Sequence, residues 1–312
     1  MRIVLFGSPL FAVPTLERLL ASSHEVVGVV TQPDKPRGRG HHVGEGPVKA
    51  VARGHGLPVL QPERLKTPAF LDEFRALAPD LGVVAAYGKI LPDEVLQIPR
   101  AGLINVHASL LPRWRGAAPI EYAVMAGDTE TGVTIMRVVR QLDAGAMFAA
   151  VSRPIGGDET AEQIEADLGR LGAGLLVEVV DQIADRRATE TPQDERLVTC
   201  APRLTKEAGA IDWSRPAATL HNQVRGLHPW PHAYAYLDGA RYIVLRTAVE
   251  PAGETAGPPG SVVEAAGDRF VAATGDGALR LLELQPEGRR GMSAREFLAG
   301  RRVQAGARFD RA

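Results

Sequence analysis

Cysteine is almost missing from this sequence: its 312 residues include one, Cys200. That excludes an internal disulfide framework and a cysteine-built metal centre, and it leads us to expect a reducing compartment. Aromatic residues make up only 5% of the chain and lysines number five, so arginine supplies nearly all the positive charge. Charge of one sign is lacking as well, with a formal balance of −1 and a pI near 6.7. No whole-chain field announces a polyanionic partner, so any nucleic-acid contact has to be local. Long hydrophobic runs are absent too. The opening residues MRIVLFGSPLF hold one Arg and a short apolar run broken by Pro9, with no extended h-region or small-residue cleavage site. A soluble, cytoplasmic protein is expected.

What is present is 45% hydrophobic residues against 23% charged, enough for one large core or two modest ones. In the first half, apolar runs (RIVLFG, EVVGVVTQ, LPVLQP, LGVVAAYG, GLINVHAS) alternate with helical patterns. This predicts α/β architecture with a Rossmann-like, mostly parallel sheet covered on both faces. TGVTIMRV and MFAAVSRPI follow, joined only through RQLDAG, a connection too short for a parallel crossover; an antiparallel edge addition is predicted. A long helix is predicted over 161–184, with Ile164, Leu168, Leu171 and Leu175 at helical spacing. Beyond about Arg187 the texture turns polar and reads as a linker over the surface. Short strands then follow, with a hairpin signal at Asp238-Gly239, which predicts a small β-barrel of the oligonucleotide-binding (OB-like) kind. The domain expectation is 1–188, a linker over 189–206, and a barrel over 207–312.

The stretch INVHASLLPRWRGAAPI, from Ile104 to Ile120, is the least ordinary. Strand alternation puts Asn105 and His107 on one face, at the carboxyl end of a sheet strand where open α/β folds hold ligands. Asp143 of QLDAG joins them if the edge hairpin pairs beside this strand. From spacing alone, a polar pair that merely closes the strand remains an open alternative. Other chemistries fit less well. Ser109 lies outside any G-x-S-x-G elbow, and the first strand turn, FGSPLFAVP, lacks the dinucleotide fingerprint G-x-G-x-x-G. HPWPH cannot set His228 and His232 on one helix face, so no metal is expected.

INVHASLLPRWRGAAPI, together with TQPDKPRGRG, AYGKILP, GVTIMRVVRQLDAG, IDWS, RGLHPWPHAY and GDGALRLLELQPEGRRGMSAREFL, resembles the folate-dependent formyltransferases from end to end. The resemblance implies a Rossmann-like catalytic domain followed by a barrel. It also implies formyl transfer from 10-formyltetrahydrofolate, as co-substrate, to the methionine amine of initiator Met-tRNA. By motif, Asn105, His107 and Asp143 match the family's catalytic trio, and Ser109, Leu110, Leu111 and Pro112 its folate loop. Asn105 would then donate to the developing oxyanion, while His107 and Asp143 stabilise it and move protons.

Phe6, Gly7, Ser8 and Phe11 are candidates for a methionine pocket, with a plain helix-entry turn as the alternative. The Gly-, Pro- and Arg-rich tract 33–47 is long for a strand-to-helix loop; the resemblance sets it beside the tRNA acceptor end, with Lys35, Arg37 and Arg39 as phosphate ligands. His41 and His42 stand where relatives often carry a Lys pair, and Ala146 where they often carry Asp or Pro. From Arg289 onward seven arginines face two acids, so Arg289, Arg290, Arg301 and Arg302 are further tRNA candidates. A monomer is expected. Formylation of a small amine is the competing reading within the enzymes, and an RNA-binding protein on a vestigial catalytic fold is the competing reading outside them.

Overall fold

Short runs of Val, Ile and Leu without a polar face form strands that can only be buried on both sides. The computed structural model of the chain describes residues 1–34, 36–37, 42–250 and 257–310. Contacts divide these into two units. The first comprises 1–119, 130–154 and 165–202, and the second 120–129, 155–164 and the chain from 203 onward.

The first unit holds a seven-stranded sheet: β1 (Arg2–Gly7), β2 (Glu25–Val30), β3 (Val59–Leu60), β4 (Leu81–Ala85), β5 (Leu103–His107), β6 (Glu130–Arg137) and β7 (Met147–Pro154). Its order is β7-β6-β5-β4-β1-β2-β3. Pairs among β1 to β5 are parallel, whereas β6 and β7 add in antiparallel fashion at the β5 edge, as the short RQLDAG connection requires. The intervening helices are α1 (Val13–Leu20), α2 (Pro47–Gly54), α3 (Pro68–Ala76) and α4 (Asp93–Leu96); α5 (Pro119–Ala126) follows β5 and α6 (Ala161–Ala184) follows β7. Pro occupies the first turn of α1, α2 and α3, where its missing N–H costs nothing. In the core on one side, Phe6 meets Phe74 and Tyr87 edge-on at 5.3 and 5.5 Å.

Residues 189–202, expected as a surface linker, are stitched into this unit. Thr191 and Met147 exchange backbone hydrogen bonds at 2.8 Å, and Cys200–Ala201 pairs in parallel with Arg115–Gly116. The polar composition hid this, because two-residue strands leave no periodic signal.

In the second unit, β8 (Ala233–Leu237) and β9 (Ala240–Glu250) form the predicted hairpin. Asp238 and Gly239 take φ of +51° and +70°, the left-handed pair that a tight two-residue turn needs. With β10 (Val262–Ala266), β11 (Arg269–Ala273), β12 (Ala278–Pro286) and β13 (Phe309–Asp310), the sheet runs β10-β11-β12-β9-β8-β13. Its two ends meet: the Phe309 N–H donates to Gly260 O and the Val262 N–H to Ala307 O, both at 2.8 Å, which closes the barrel. Inside it, Trp213 stacks on Phe309 at 4.6 Å and Phe270 on Phe297 at 5.5 Å.

α5, although it follows β5, is counted almost wholly with the second unit. A Cβ on Gly226, at the end of α7 (Ala217–Gly226), would sit 2.8 Å from the Met125 side chain, so the absence of a side chain there lets the two helices touch. The buried Arg225 reinforces the contact by donating to the Gly156 and Glu159 carbonyls at 3.1 Å.

α8 (Ala294–Gly300) opens with a capping box, the Ser293 side chain bonded to the Glu296 N–H and the Glu296 carboxylate to the Ser293 N–H. The Ser293 backbone N–H, and after it Arg290, hold the Glu296 carboxyl down at about 2. A depressed folded pKa gives stabilisation that is complete above the ordinary carboxylate range and lost as pH falls from about 4.5 toward 2. Replacing Ser293 with Ala is expected to lower stability by about 1 kcal/mol in urea melts at neutral pH. Glu296→Gln should be less stable than the parent at pH 6, with the difference vanishing near pH 2; a pH-independent difference would show that the carboxylate is not responsible.

Candidate active site

Alternation along LINVH sends Leu103, Asn105 and His107 to one face of β5, with Ile104 and Val106 buried on the other. His107 is 5% exposed. Its Nε2 lies 3.1 Å from the Trp114 carbonyl, which can only accept, so Nε2 carries a hydrogen and Nδ1 is the nitrogen left for other work. Nδ1 faces Asp143 Oδ2 at 3.8 Å, within ion-pair range and beyond a direct hydrogen bond. The half-buried Asn105 amide makes no hydrogen bond among the described residues.

Strand register alone does not bring Asp143 to His107. His107 pairs with Thr134 and Ile104 with Arg137, so β6 runs away from His107 and its connection to β7 starts beyond Leu103. That connection has to turn back. Asp143 takes φ +48°, and Gly145 presses so close to β6 that a Cβ would lie 1.9 Å from the Arg137 carbonyl oxygen. Gly116 then receives the returning carboxylate, donating its N–H to Asp143 Oδ2 at 2.9 Å.

The SLLP loop is anchored on β6. Thr134 Oγ1 donates to Ser109 O at 2.7 Å and accepts the Leu111 N–H at 3.1 Å, while Ser109 Oγ donates to Arg113 O at 2.6 Å. Ser109 has no exposed surface, so its hydroxyl shapes the loop. Leu110 and Pro112 are half-buried, and Leu111 is 8% exposed and joined to Pro112 by a cis peptide.

Three exposed apolar residues in the loops after β4 and β6 carried no role in the sequence reading: Ile90, Val139 and Leu142 are 78%, 39% and 59% exposed. Their loops adjoin, since Arg140 meets Asp93 at 3.9 Å and Leu91 and Val138 pack in one cluster. The signal was present in AYGKILP and RVVRQLDAG, where apolar residues sit in loops that ought to be polar.

Phe6 departs from the pocket expectation, since it is fully buried between Phe74 and Tyr87 and has no surface for a ligand. At Gly7 a Cβ would strike Ala12 and the Ala85 carbonyl at 2.8 and 2.9 Å. Ser8 Oγ accepts the Gln32 N–H at 2.9 Å, and Phe11 is buried. The turn therefore reads first as a helix entry, and of the four pocket candidates only Ser8 keeps partial exposure.

Lys35 and Arg39 lie outside the described residues, as does His41; of Arg37 and His42 only the backbone is described. In the second unit, a cleft of about 800 Å³ is lined by Arg241, Arg289, Arg290 and Arg301 together with Tyr236 and Tyr242. Arg290 is paired with Glu296 at 2.9 Å; Arg301 is paired with Asp238 at 3.1 Å and lies over the Tyr242 ring. Arg289 and Arg302 have no ion pair among the described residues, and Arg302 is outside the cleft lining. Arg241 enters from a distant part of the sequence and went unrecognised there. The His228 and His232 rings approach to 5.3 Å despite the intervening prolines, yet no group of three or more His, Cys, Asp or Glu able to hold a metal occurs among the described residues. No described helix is long and apolar enough to cross a membrane.

Residues 1–180 match the formyl transferase domain, and residues 203–302 match the formyl transferase C-terminal domain. The methionyl-tRNA formyltransferase of Geobacter sulfurreducens is 46% identical over 312 residues, covering 100% of this chain and 98% of that protein. That of Methylococcus capsulatus is 48% identical over 309 residues, covering 97% and 99%. Among solved structures, the sugar 3N-formyl transferase WlaRD, determined with dTDP and 5-N-formyl-THF, shares the fold with a TM-score of 0.70 at 16% identity, over 93% of this chain and 99% of that one. HypX from Aquifex aeolicus in complex with tetrahydrofolic acid gives a TM-score of 0.63 at 17% identity over 96% of this chain, which spans 47% of HypX. With both domain matches in sequence and relatives this similar along nearly its full length, the chain belongs to the formyl transferase family.

Proposed function

We propose that this chain transfers the formyl group of 10-formyltetrahydrofolate to the α-amine of methionine on initiator Met-tRNA, acting in the cytoplasm as a single polypeptide. The observation that carries the chemistry is the facing of His107 Nδ1 and Asp143 Oδ2 at 3.8 Å, on the face of β5 that also presents the Asn105 amide, which makes no hydrogen bond among the described residues. Full-length relatives named for the tRNA reaction support the acceptor, and so does the arginine- and tyrosine-lined cleft, which a small amine would not require.

The bound folate supplies a formyl carbon on nitrogen, and charge builds on its oxygen as the amine attacks. Asn105 donates to that oxygen, a contribution of about 2.7–4 kcal/mol to the barrier by the usual cost of deleting such a donor. His107, held by the Trp114 carbonyl, takes the proton leaving the amine on Nδ1, the Asp143 carboxylate stabilises the resulting imidazolium, and the proton passes to N10 of the folate as the bond from the formyl carbon to N10 breaks. The gap between them leaves Nδ1 accessible to the reacting group. The exposed Ile90, Val139 and Leu142 offer the flat pterin an apolar seat, while Leu110, Leu111 and Pro112 form the loop against the folate. Lys35, Arg37 and Arg39 remain our assignment for the acceptor stem, with Gly7, Ser8 and Phe11 bordering the amino-acid end.

Formylation of charged initiator tRNA by purified protein tests the reading, with elongator Met-tRNA and a small amino sugar as comparisons; efficient transfer only to the sugar would replace it. Within that assay, His107→Ala and Asp143→Asn are each expected to lower kcat by about 10²-fold or more, and Asn105→Ala by about 10²–10³-fold, with KM for tRNA nearly unchanged. Near-normal turnover in Asp143→Asn would remove it from the mechanism. The cleft is tested separately. Arg241→Ala with Arg289→Ala should raise KM for tRNA and flatten its salt dependence, by about one unit of slope for each phosphate no longer neutralised, leaving KM for folate unaltered. An unchanged salt slope would move tRNA attachment off this cleft.

A further inference from the structure

The turned-back connection that carries Asp143 is held from outside by a side chain that neither the trio nor the folate loop includes. Gln193 is 9% exposed. Its Nε2 donates to both the Asp143 and the Gly145 carbonyls at 2.8 Å. Its Oε1 accepts Arg115 Nε at 3.0 Å, and Arg115 in turn grips Glu195 with both terminal nitrogens, at 2.8 and 3.2 Å.

Each atom in this chain of bonds has one permitted role. Arginine only donates and carbonyls only accept, so the Gln193 amide can be oriented in a single way. Arg115 and Gly116 are consecutive, and the Gly116 N–H binds the Asp143 carboxylate. Asp143 is thus gripped twice, through its own carbonyl by Gln193 and through its side chain by Gly116. Residue 116 is itself fixed by the pairing of Arg115–Gly116 with Cys200–Ala201. A non-glycine residue at φ +48° resists this conformation and keeps it only when its surroundings over-determine it. The Gln193 clamp supplies that determination.

We propose that Gln193 is a positioning residue for the formyl transfer: its amide bridges the Asp143 and Gly145 carbonyls and holds the Asp143 carboxylate at its working distance from His107. This rests on the reading of His107 and Asp143 given under the proposed function. Two substitutions separate positioning from packing. Gln193→Ala removes the amide and the volume, whereas Gln193→Met keeps the volume and removes only the hydrogen bonds. A displacement of the carboxylate by about 1 Å is worth up to about 100-fold in rate.

Both variants are expected to lose about 10- to 100-fold in kcat while KM for folate and for tRNA stays within about twofold. Combined with Asp143→Asn, either should add little further loss, since both changes act on one group. A second readout does not depend on turnover: nitrogen-15 NMR of the histidine side chains in the full-length chain should show the His107 ring signals shift in both variants. Wild-type protein without formyl transfer would sink the functional reading, and the NMR shift would still support the clamp. A Gln193→Met protein with parental kcat would overturn the inference, as would unmoved His107 signals or a full multiplicative loss in the double variant.

Discussion

The site depends on a reversal of chain direction that the sheet itself opposes. Antiparallel pairing of β6 with β5 carries the chain from Thr134, beside His107, to Arg137, beside Ile104, and so away from the imidazole. The meeting of Asp143 with His107 then rests on the return of residues 138–146. That return needs a backbone contact that no side chain at position 145 would permit, and a left-handed conformation at Asp143. The hydrogen bond from Gly116 to Asp143 Oδ2 at 2.9 Å is its terminus. Preorganisation of this kind places the cost of ordering the carboxylate in folding, so Asp143 already faces His107 in the folded chain.

His107 is constrained in a complementary way. A nearly buried imidazole has to place its N–H somewhere, and the Trp114 carbonyl takes it at 3.1 Å. That single bond selects Nδ1 as the nitrogen that faces Asp143. Trp114 holds φ +62°, and its own N–H donates to Thr199 Oγ1 at 2.9 Å, so the carbonyl that orients His107 is steadied by the same 191–201 segment that steadies Asp143. Asn105 needs no such support, because strand alternation alone aims it, and its amide makes no hydrogen bond among the described residues.

Periodicity and connection length made much of this legible beforehand. The Val- and Ile-rich runs, the short RQLDAG link, the long helix over 161–184 and the Asp238-Gly239 hairpin each follow from a local rule that tertiary context does not override. Asn105 and His107 could be placed on one face from their spacing. Asp143 could be suspected from its position on the hairpin link, but the return of that link could not be read, since it depends on contacts from residues about fifty positions away. Phe6 was misjudged for a related reason: a residue at a strand end looks available until the edge-on rings of Phe74 and Tyr87 close over it. α5 follows β5 in sequence, and the bare Gly226 surface lets it pack against α7.

The segment between the two family domains shows why composition misleads about function. Residues 189–202 are polar, short of periodicity and mostly exposed, all marks of a tether. Yet Thr191 pairs with the start of β7, Thr199 holds Trp114, and Cys200–Ala201 pairs with Arg115–Gly116. A polar chain bonds through its backbone as well as an apolar one does, and the few side chains it buries can be chosen for hydrogen bonding. The first unit, defined by what fixes His107 and Asp143, therefore extends to Pro202, where the contacts also divide the chain. A boundary drawn at the end of α6 would retain Asn105, His107 and Asp143 while discarding the residues that orient two of them.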